Sequence, residues 1–243
     1  MKNIIFLAFV ISFATPNAMA EKSCATTQTL KASYTIVKST VGFAKSQTKL
    51  ILWRKPNVVA HQYPQTHITE MWQKVTNDLI KPIRFFNEYE RAIEYQPGES
   101  VHGKKELDWN YRNQLVSDTL ITNMPVVEQQ GTGCNQIELR QKETENTKLT
   151  ITWMPQLKLI KSFKLKTPLG LETWVLDELK TQDADTVNYF NKLYDYQTTD
   201  YADIGDDHTD PFLTKMVTLG FIEAGASGFY NDKGAAIGNG HRH

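Results

Sequence analysis

The stretch TTDYADIGDDHTDP, residues 198–211, places five aspartates and one histidine in fourteen positions. Hard divalent cations such as calcium gather six to eight oxygen ligands from acidic loops of this kind. Asp200, Asp203, Asp206, Asp207 and His208 are therefore candidate metal ligands, and Gly205 permits a tight turn among them. The spacing is not that of an EF-hand loop, and His208 has a second possible use. Together with His241 and His243 near the end of the chain it could hold a transition metal through imidazole nitrogens. Against a metal stands plainer chemistry, in which aspartates cap turns and helices. Asp210-Pro211 is such a cap, with a carboxylate to accept from free N–H groups and a proline that needs no donor at the first helical position.

Other chemistry is thinly represented. The chain has no HExxH, GxSxG, GxxxxGK[ST] or CxxC motif. Glu88, Glu90, Glu94 and Glu99 cluster in sequence, but glycoside hydrolysis needs two carboxylates facing each other across a cleft. Neighbouring positions on a strand edge do not supply that, so an envelope hydrolase is the least supported function. His61 and His67 share strand parity, yet Pro64-Gln65 between them interrupts the register a zinc pair would need.

The opening MKNIIFLAFVISFATPNAMA has a short basic start, an apolar run and a small-x-small ending at Ala18 and Ala20. It reads as a cleavable signal peptide over residues 1–20, with export to the periplasm. The apolar run is shorter than the roughly 20 residues a membrane-spanning helix requires, and no later stretch is long enough. Lysine plus arginine and aspartate plus glutamate number 27 each, which argues against bulk binding to nucleic acid. The two cysteines, Cys24 and Cys134, are expected to form a disulfide in an oxidising compartment. Two buried thiols are the alternative.

Any such chemistry must be positioned by a sheet. TKLILW (48–53), NVVAHQY (57–63), ITEMWQKV (68–75), LIKPIRFF (79–86) and RAIEY (91–95) are short β-rich runs separated by turn residues. NQIELRQK (135–142), KLTITWM (148–154), LKLIKSFKLK (157–166) and LETWVLDEL (171–179) form a second set. Leu157, Leu159, Phe163 and Leu165 lie on one face of their run, with lysines mostly opposite. Between the sets, Leu107, Tyr111 and Leu115 recur at four-residue spacing and predict one amphipathic helix within 103–120. Two more helices are predicted over 183–193 and 210–220, followed by a flexible tail over 221–243.

WRKPNVVAHQYP (53–64) is similar to the early strand hairpin of the LolA/LolB superfamily of lipoprotein carriers, and ITEMWQKV resembles that family's next strand. Ala60 and His61 stand where the family usually has a basic or aromatic pair, and the acidic C-terminal stretch has no family counterpart. The resemblance implies an α+β fold over 21–220, a curved antiparallel half-barrel of about 9 to 11 strands with a few helices on its concave face. It further implies a non-enzymatic binding or carrier protein, without cofactor, holding a lipid or lipoprotein-type ligand; separately, an exposed edge strand of an incomplete barrel could recruit an envelope protein partner by strand addition. Trp53, Trp72, Phe85, Tyr95, Trp153 and Trp174 are aromatics within the runs and the candidate cavity lining. Ordinary sheet core is the competing use for each of them.

Overall fold

A computed structural model describes residues 29–76, 79–101, 104–181, 184–204, 209–218, 229–230 and 236–237. The signal-peptide segment, Cys24, Asp206, Asp207, His208, His241 and His243 lie outside the described residues. The chain begins with a meander of β1 (Leu30–Thr40), β2 (Ser46–Lys55), β3 (Val58–Tyr63), β4 (Ile68–Lys74), β5 (Ile80–Phe86) and β6 (Arg91–Glu94). A two-residue ladder of β7 (Ser100–Val101) and β8 (Lys104–Lys105) leads to helices α1 (Trp109–Gln114) and α2 (Asp118–Thr122). Strands β9 (Val126–Gln130), β10 (Ile137–Glu143), β11 (Lys148–Met154), β12 (Leu159–Thr167) and β13 (Gly170–Thr181) follow. Then come α3 (Ala184–Tyr194), β14 (Gln197–Asp200), α4 (Pro211–Thr218) and a small ladder of β15 (Phe229–Tyr230) with β16 (Ala236–Ile237).

Twelve strands form one open sheet in the order β14-β6-β5-β4-β3-β2-β1-β13-β12-β11-β10-β9. The first and second strand sets meet where β1 pairs antiparallel with β13, from Leu30↔Thr181 to Thr40↔Gly170. All nine strands expected from the sequence are present. Three of the twelve strands of this sheet were not anticipated: β1 in full length, β9 and β14. Strand β9 is exposed at every position, so it carries no hydrophobic alternation to reveal it. Strand β14 runs parallel to β6 because the chain crosses back through α3 before rejoining the sheet. Pro56-Asn57 closes the β2–β3 hairpin, with Asn57 in the left-handed region at φ 59°, a conformation its short polar side chain tolerates.

Side-chain alternation divides the sheet into two faces. The inner face carries Leu30, Ala32, Tyr34, Ile36, Leu50 and Leu52, all buried, and receives α1 and α2. At the β4–β6 end the same face packs Ile68, Phe86, Ile93 and Tyr95 against Ile204, Phe212, Leu213 and Met216. On the outer face, α3 lays Phe190 and Leu193 over Trp53, Ala60, Met71, Ile83, Phe85 and Ala92. Helices therefore cover both faces of the first strand set. Each fully buried aliphatic or aromatic side chain contributes about 1.5 to 3 kcal/mol by leaving water.

The single helix expected over 103–120 is instead a strand end and two short helices. Asp108 accepts from Tyr111 N–H at 2.8 Å and starts α1, while Ser117 accepts from Leu120 N–H at 3.2 Å and starts α2. Two caps nine residues apart leave no room for one helix. Leu115 ends α1 in the left-handed region at φ 68°. That conformation costs a branched residue energy, offset by burying its side chain together with Val116, Ile121 and Met124. Leu107 and Tyr111 face solvent.

Candidate functional site

The inner face is a floor with a partial lid. Tyr34, Leu50, Leu52, Ile151, Trp153 and Leu159 form the floor, and Leu115, Val116, Ile121 and Met124 of the α1–α2 segment press on it. Tyr34 donates its hydroxyl to the Ile160 carbonyl at 2.9 Å, and burial raises that hydroxyl well above the ordinary tyrosine range.

Three basic side chains of the sheet fasten the lid through backbone carbonyls. Arg54 donates through Nη1 to Asn113 O at 3.1 Å, just before the end of α1. It also donates to Leu157 O at 2.6 Å and Lys158 O at 3.3 Å. Burial pushes the Arg54 guanidinium down to about 10. His61 Nε2 lies 2.7 Å from Arg112 O; a carbonyl only accepts, so Nε2 carries the proton. Arg140 donates to Ile121 O at 2.6 Å and Met124 O at 2.9 Å at the end of α2. The carbonyls of Arg112, Asn113 and Ile121 belong to the last turns of α1 and α2, where a helix runs short of intrahelical N–H donors and side-chain donors are favoured.

A charged seam runs beside the lid. His61, Glu70 and Arg84 occupy one cross-strand row on β3, β4 and β5. Arg84 pairs with Glu70 at 2.7 Å, and Arg112 of α1 pairs with Glu106 at 2.6 Å. The Arg112 guanidinium sits 4.2 Å from the Trp72 ring centre, and the His61 ring lies edge-on to the same indole at 4.8 Å. Burial alone would raise the Glu70 carboxyl, but Arg84 and Arg112 together hold it below the usual carboxylate range. For Arg112, burial works downward and is outweighed by Glu106 and Glu70, which raise it. Burial, reinforced by Arg112, drives His61 down to about 4. At neutral pH the seam thus holds two guanidinium–carboxylate pairs and a neutral imidazole. Its charges are matched and directed at one another, an arrangement suited to holding α1 in register.

The lid does not cover the whole floor. Leu149, Phe163, Trp174 and Leu176 adjoin the buried cluster and are only half-buried. Phe163 and Trp174 face each other at 5.8 Å, and Trp174 Nε1 donates to Glu172 at 2.7 Å.

Of the six aromatics singled out from the sequence, Trp72, Tyr95, Trp153 and Trp174 lie on the inner face. Tyr95 belongs to the β4–β6 end, stacked on Tyr201 at 4.7 Å. Trp53 and Phe85 lie on the outer face under α3, Trp53 stacked on Tyr189 at 4.1 Å and Phe85 edge-on to Tyr196 at 5.9 Å. The six are not brought together around one cavity. Asp200 accepts from Ala202 N–H at 3.0 Å and from the Gln96 amide, and so closes the turn Tyr201–Asp203, which contains Asp203. Asp210 caps α4, accepting from Phe212 N–H at 2.8 Å, and pairs with Arg91 at 2.6 Å. Among the described residues no group of three or more His, Cys, Asp or Glu is placed to hold a metal. Cys134 sits half-buried in the turn Gly133–Asn135. His67 follows the turn Pro64–Thr66 and is exposed, whereas His61 is buried. Glu94 pairs with Lys81 at 2.8 Å, and Glu99 accepts from Gln96 N–H at 2.7 Å.

Arg54, Glu70, Arg84, Arg112 and Arg140 escaped the sequence reading. The signal was strand parity: Arg54 continues the buried positions Leu50 and Leu52, and Glu70 lies between Ile68 and Trp72 on the same face. A charge at a buried parity position needs a partner, and here the partner is the lid or the neighbouring strand.

No family model matches the chain, and no curated protein matches it. Among solved structures the chain is similar to PNGF-II, at 9% identity and a TM-score of 0.39, over 70% of this chain and 31% of that one. It is also similar to a LolA superfamily protein from Nitrosomonas europaea, at 8% identity and a TM-score of 0.33, over 70% of this chain and 94% of that one. A third likeness is to the Pseudomonas aeruginosa MucA/MucB complex, at 9% identity and a TM-score of 0.33, over 67% of this chain and 55% of the matched chain. The chain thus spans about a third of the length of PNGF-II. The resemblance to the LolA superfamily read from the sequence recurs among these structures; at such scores and identities no activity passes from them to this chain.

Proposed function

We propose that this protein is an exported, periplasmic, non-enzymatic carrier that holds an apolar or amphipathic ligand of lipid or lipoprotein type against the inner face of its sheet. The observation that carries this reading is the unfinished floor. The lid is fastened at its helix ends by Arg54, His61 and Arg140, while the apolar surface continues past it as the half-buried Leu149, Phe163, Trp174 and Leu176. An acyl chain laid along that margin removes more apolar area from water, at roughly 25 cal/mol per Å². The seam supports a binding role over a catalytic one, because its acids and bases are spent on each other.

Quenching by a brominated fatty acid tests the reading. Trp174 lies on the open margin and Trp53 under α3 on the other face. Titration with dibromostearate is expected to quench the protein, with most of the quench lost in Trp174→Phe and retained in Trp53→Phe. No quench, or a quench removed equally by either substitution, refutes the inner-face site. Native mass spectrometry of protein purified gently from the envelope, before and after a chelator, tests the alternative. Lipid masses that survive the chelator favour the carrier; a metal-sized adduct that the chelator removes and that Asp203→Asn with Asp206→Asn abolishes favours a metal-binding accessory protein.

A further inference from the structure

One end of the sheet displays apolar side chains that the carrier reading does not use. Val41, Phe43 and Leu169 are 73, 76 and 73% exposed, and Leu171 is 37% exposed. Val41 and Phe43 form the tip of the β1–β2 hairpin, and Leu169 and Leu171 belong to the β12–β13 hairpin. Because β1 pairs with β13, the two tips are neighbours. Val41 N–H donates to Leu169 O at 2.9 Å, and Gly170 faces Thr40 in the register. A Cβ on Gly170 would stand 2.0 Å from Ser39 O, so glycine is what lets the two tips close on each other. Phe43 N–H donates to Thr40 O at 3.0 Å, with Gly42 at φ 81° completing the turn. The result is a double tip, held in shape, whose four apolar residues point to water at adjacent positions.

Its surroundings are basic. Residues 38–49 and 164–173 carry five lysines, Lys38, Lys45, Lys49, Lys164 and Lys166, against a single acid, Glu172. Lys38 pairs with Glu172 at 3.3 Å; the other four make no ion pair among the described residues. The chain as a whole is balanced, with 27 residues of each sign, so this end is positive against a net acidic remainder. The next hairpin along holds Glu143, paired with Lys148 at 2.9 Å, and Glu145.

We propose that the double tip docks on an anionic bilayer surface, with Phe43, Val41 and Leu169 entering the interface and the lysines meeting lipid phosphates. Exposed apolar residues ringed by lysine are the combination that binds membrane interfaces, where buried apolar area and attraction to anionic headgroups add. The proposal goes beyond the carrier reading and does not depend on it.

The test is flotation of the full chain with vesicles of phosphatidylcholine alone and of phosphatidylcholine with phosphatidylglycerol in equal amounts. The protein is expected to float with the anionic vesicles and to be released by high salt. Lys45→Gln with Lys166→Gln lowers the partition coefficient roughly fivefold per lysine, and Phe43→Ser with Leu169→Ser lowers it at least about tenfold per residue. All four positions are on the surface, so circular dichroism melting shows unchanged folding. Absence of flotation, or flotation indifferent to Phe43→Ser with Leu169→Ser, overturns the proposal. So does a dimer in solution that the same substitutions dissociate without any vesicle binding, which makes the tip a contact between copies of the chain.

Discussion

Acidification isolates the energetic role of His61. In the folded protein its imidazole is held down to about 4, first by burial and then by the charge of Arg112. In the unfolded chain it titrates near 6.5. The unfolded state therefore binds more protons between these values, and stability falls as pH falls through that window. The contribution is fully present above the unfolded value and is lost progressively on the way down to the folded one. Integrating the two titrations gives a loss of about 2 kcal/mol between pH 7 and pH 5 and about 3 kcal/mol by pH 4. The Glu70 carboxyl, also held below its ordinary range, adds a loss of the same sign at the acid end. Comparison with His61→Gln separates the two. Glutamine keeps an N–H to donate to Arg112 O but carries no titrating group, and Glu70 remains in both proteins. Urea unfolding followed by far-UV circular dichroism at pH 7, 6, 5 and 4 is expected to show the wild-type free energy falling about 2 kcal/mol further than the variant by pH 5. Parallel curves for the two proteins would falsify the account of a neutral, buried His61.

Other consequences are equally concrete. Arg140→Ala removes the side-chain donor to the carbonyls of Ile121 and Met124, leaving Ile121 O only backbone donors, and is expected to cost about 1 to 3 kcal/mol in urea unfolding, with faster hydrogen exchange across α2. Asp210→Ala removes the α4 cap and the Arg91 partner together; a loss of about 1 to 2 kcal/mol is expected, and a melting temperature equal to wild type would show that α4 is held by packing alone. For the cysteines, protein produced by export to an oxidising compartment is expected to resist alkylation until reduced and to lose about 4 kcal/mol on reduction. Two thiols alkylated in the unreduced, unfolded protein would exclude the Cys24–Cys134 bond.

The sequence alone determined the strands whose side chains alternate. Wherever one face of a run was wet and the other apolar, as in β11 and β12, period and turn residues located the strand to within two residues. It also determined the α4 cap, because Asp210-Pro211 acts through bonds that reach no further than Leu213. The tertiary structure decided what depends on elements distant in the chain. Strand β14 contains QTTD, which has no pattern of its own and exists as a strand through pairing with β6 about a hundred residues earlier. Trp53 and Trp72 look alike in sequence but face opposite sides, since Trp53 meets α3 and Trp72 meets Arg112 of α1. Arg54, His61 and Arg140 became lid fasteners only when the chain laid helix ends beside them, across separations of 59, 51 and 19 residues. Alternation records which side of a strand is buried; it carries no information about which element does the burying, and that choice placed the polar groups of this site.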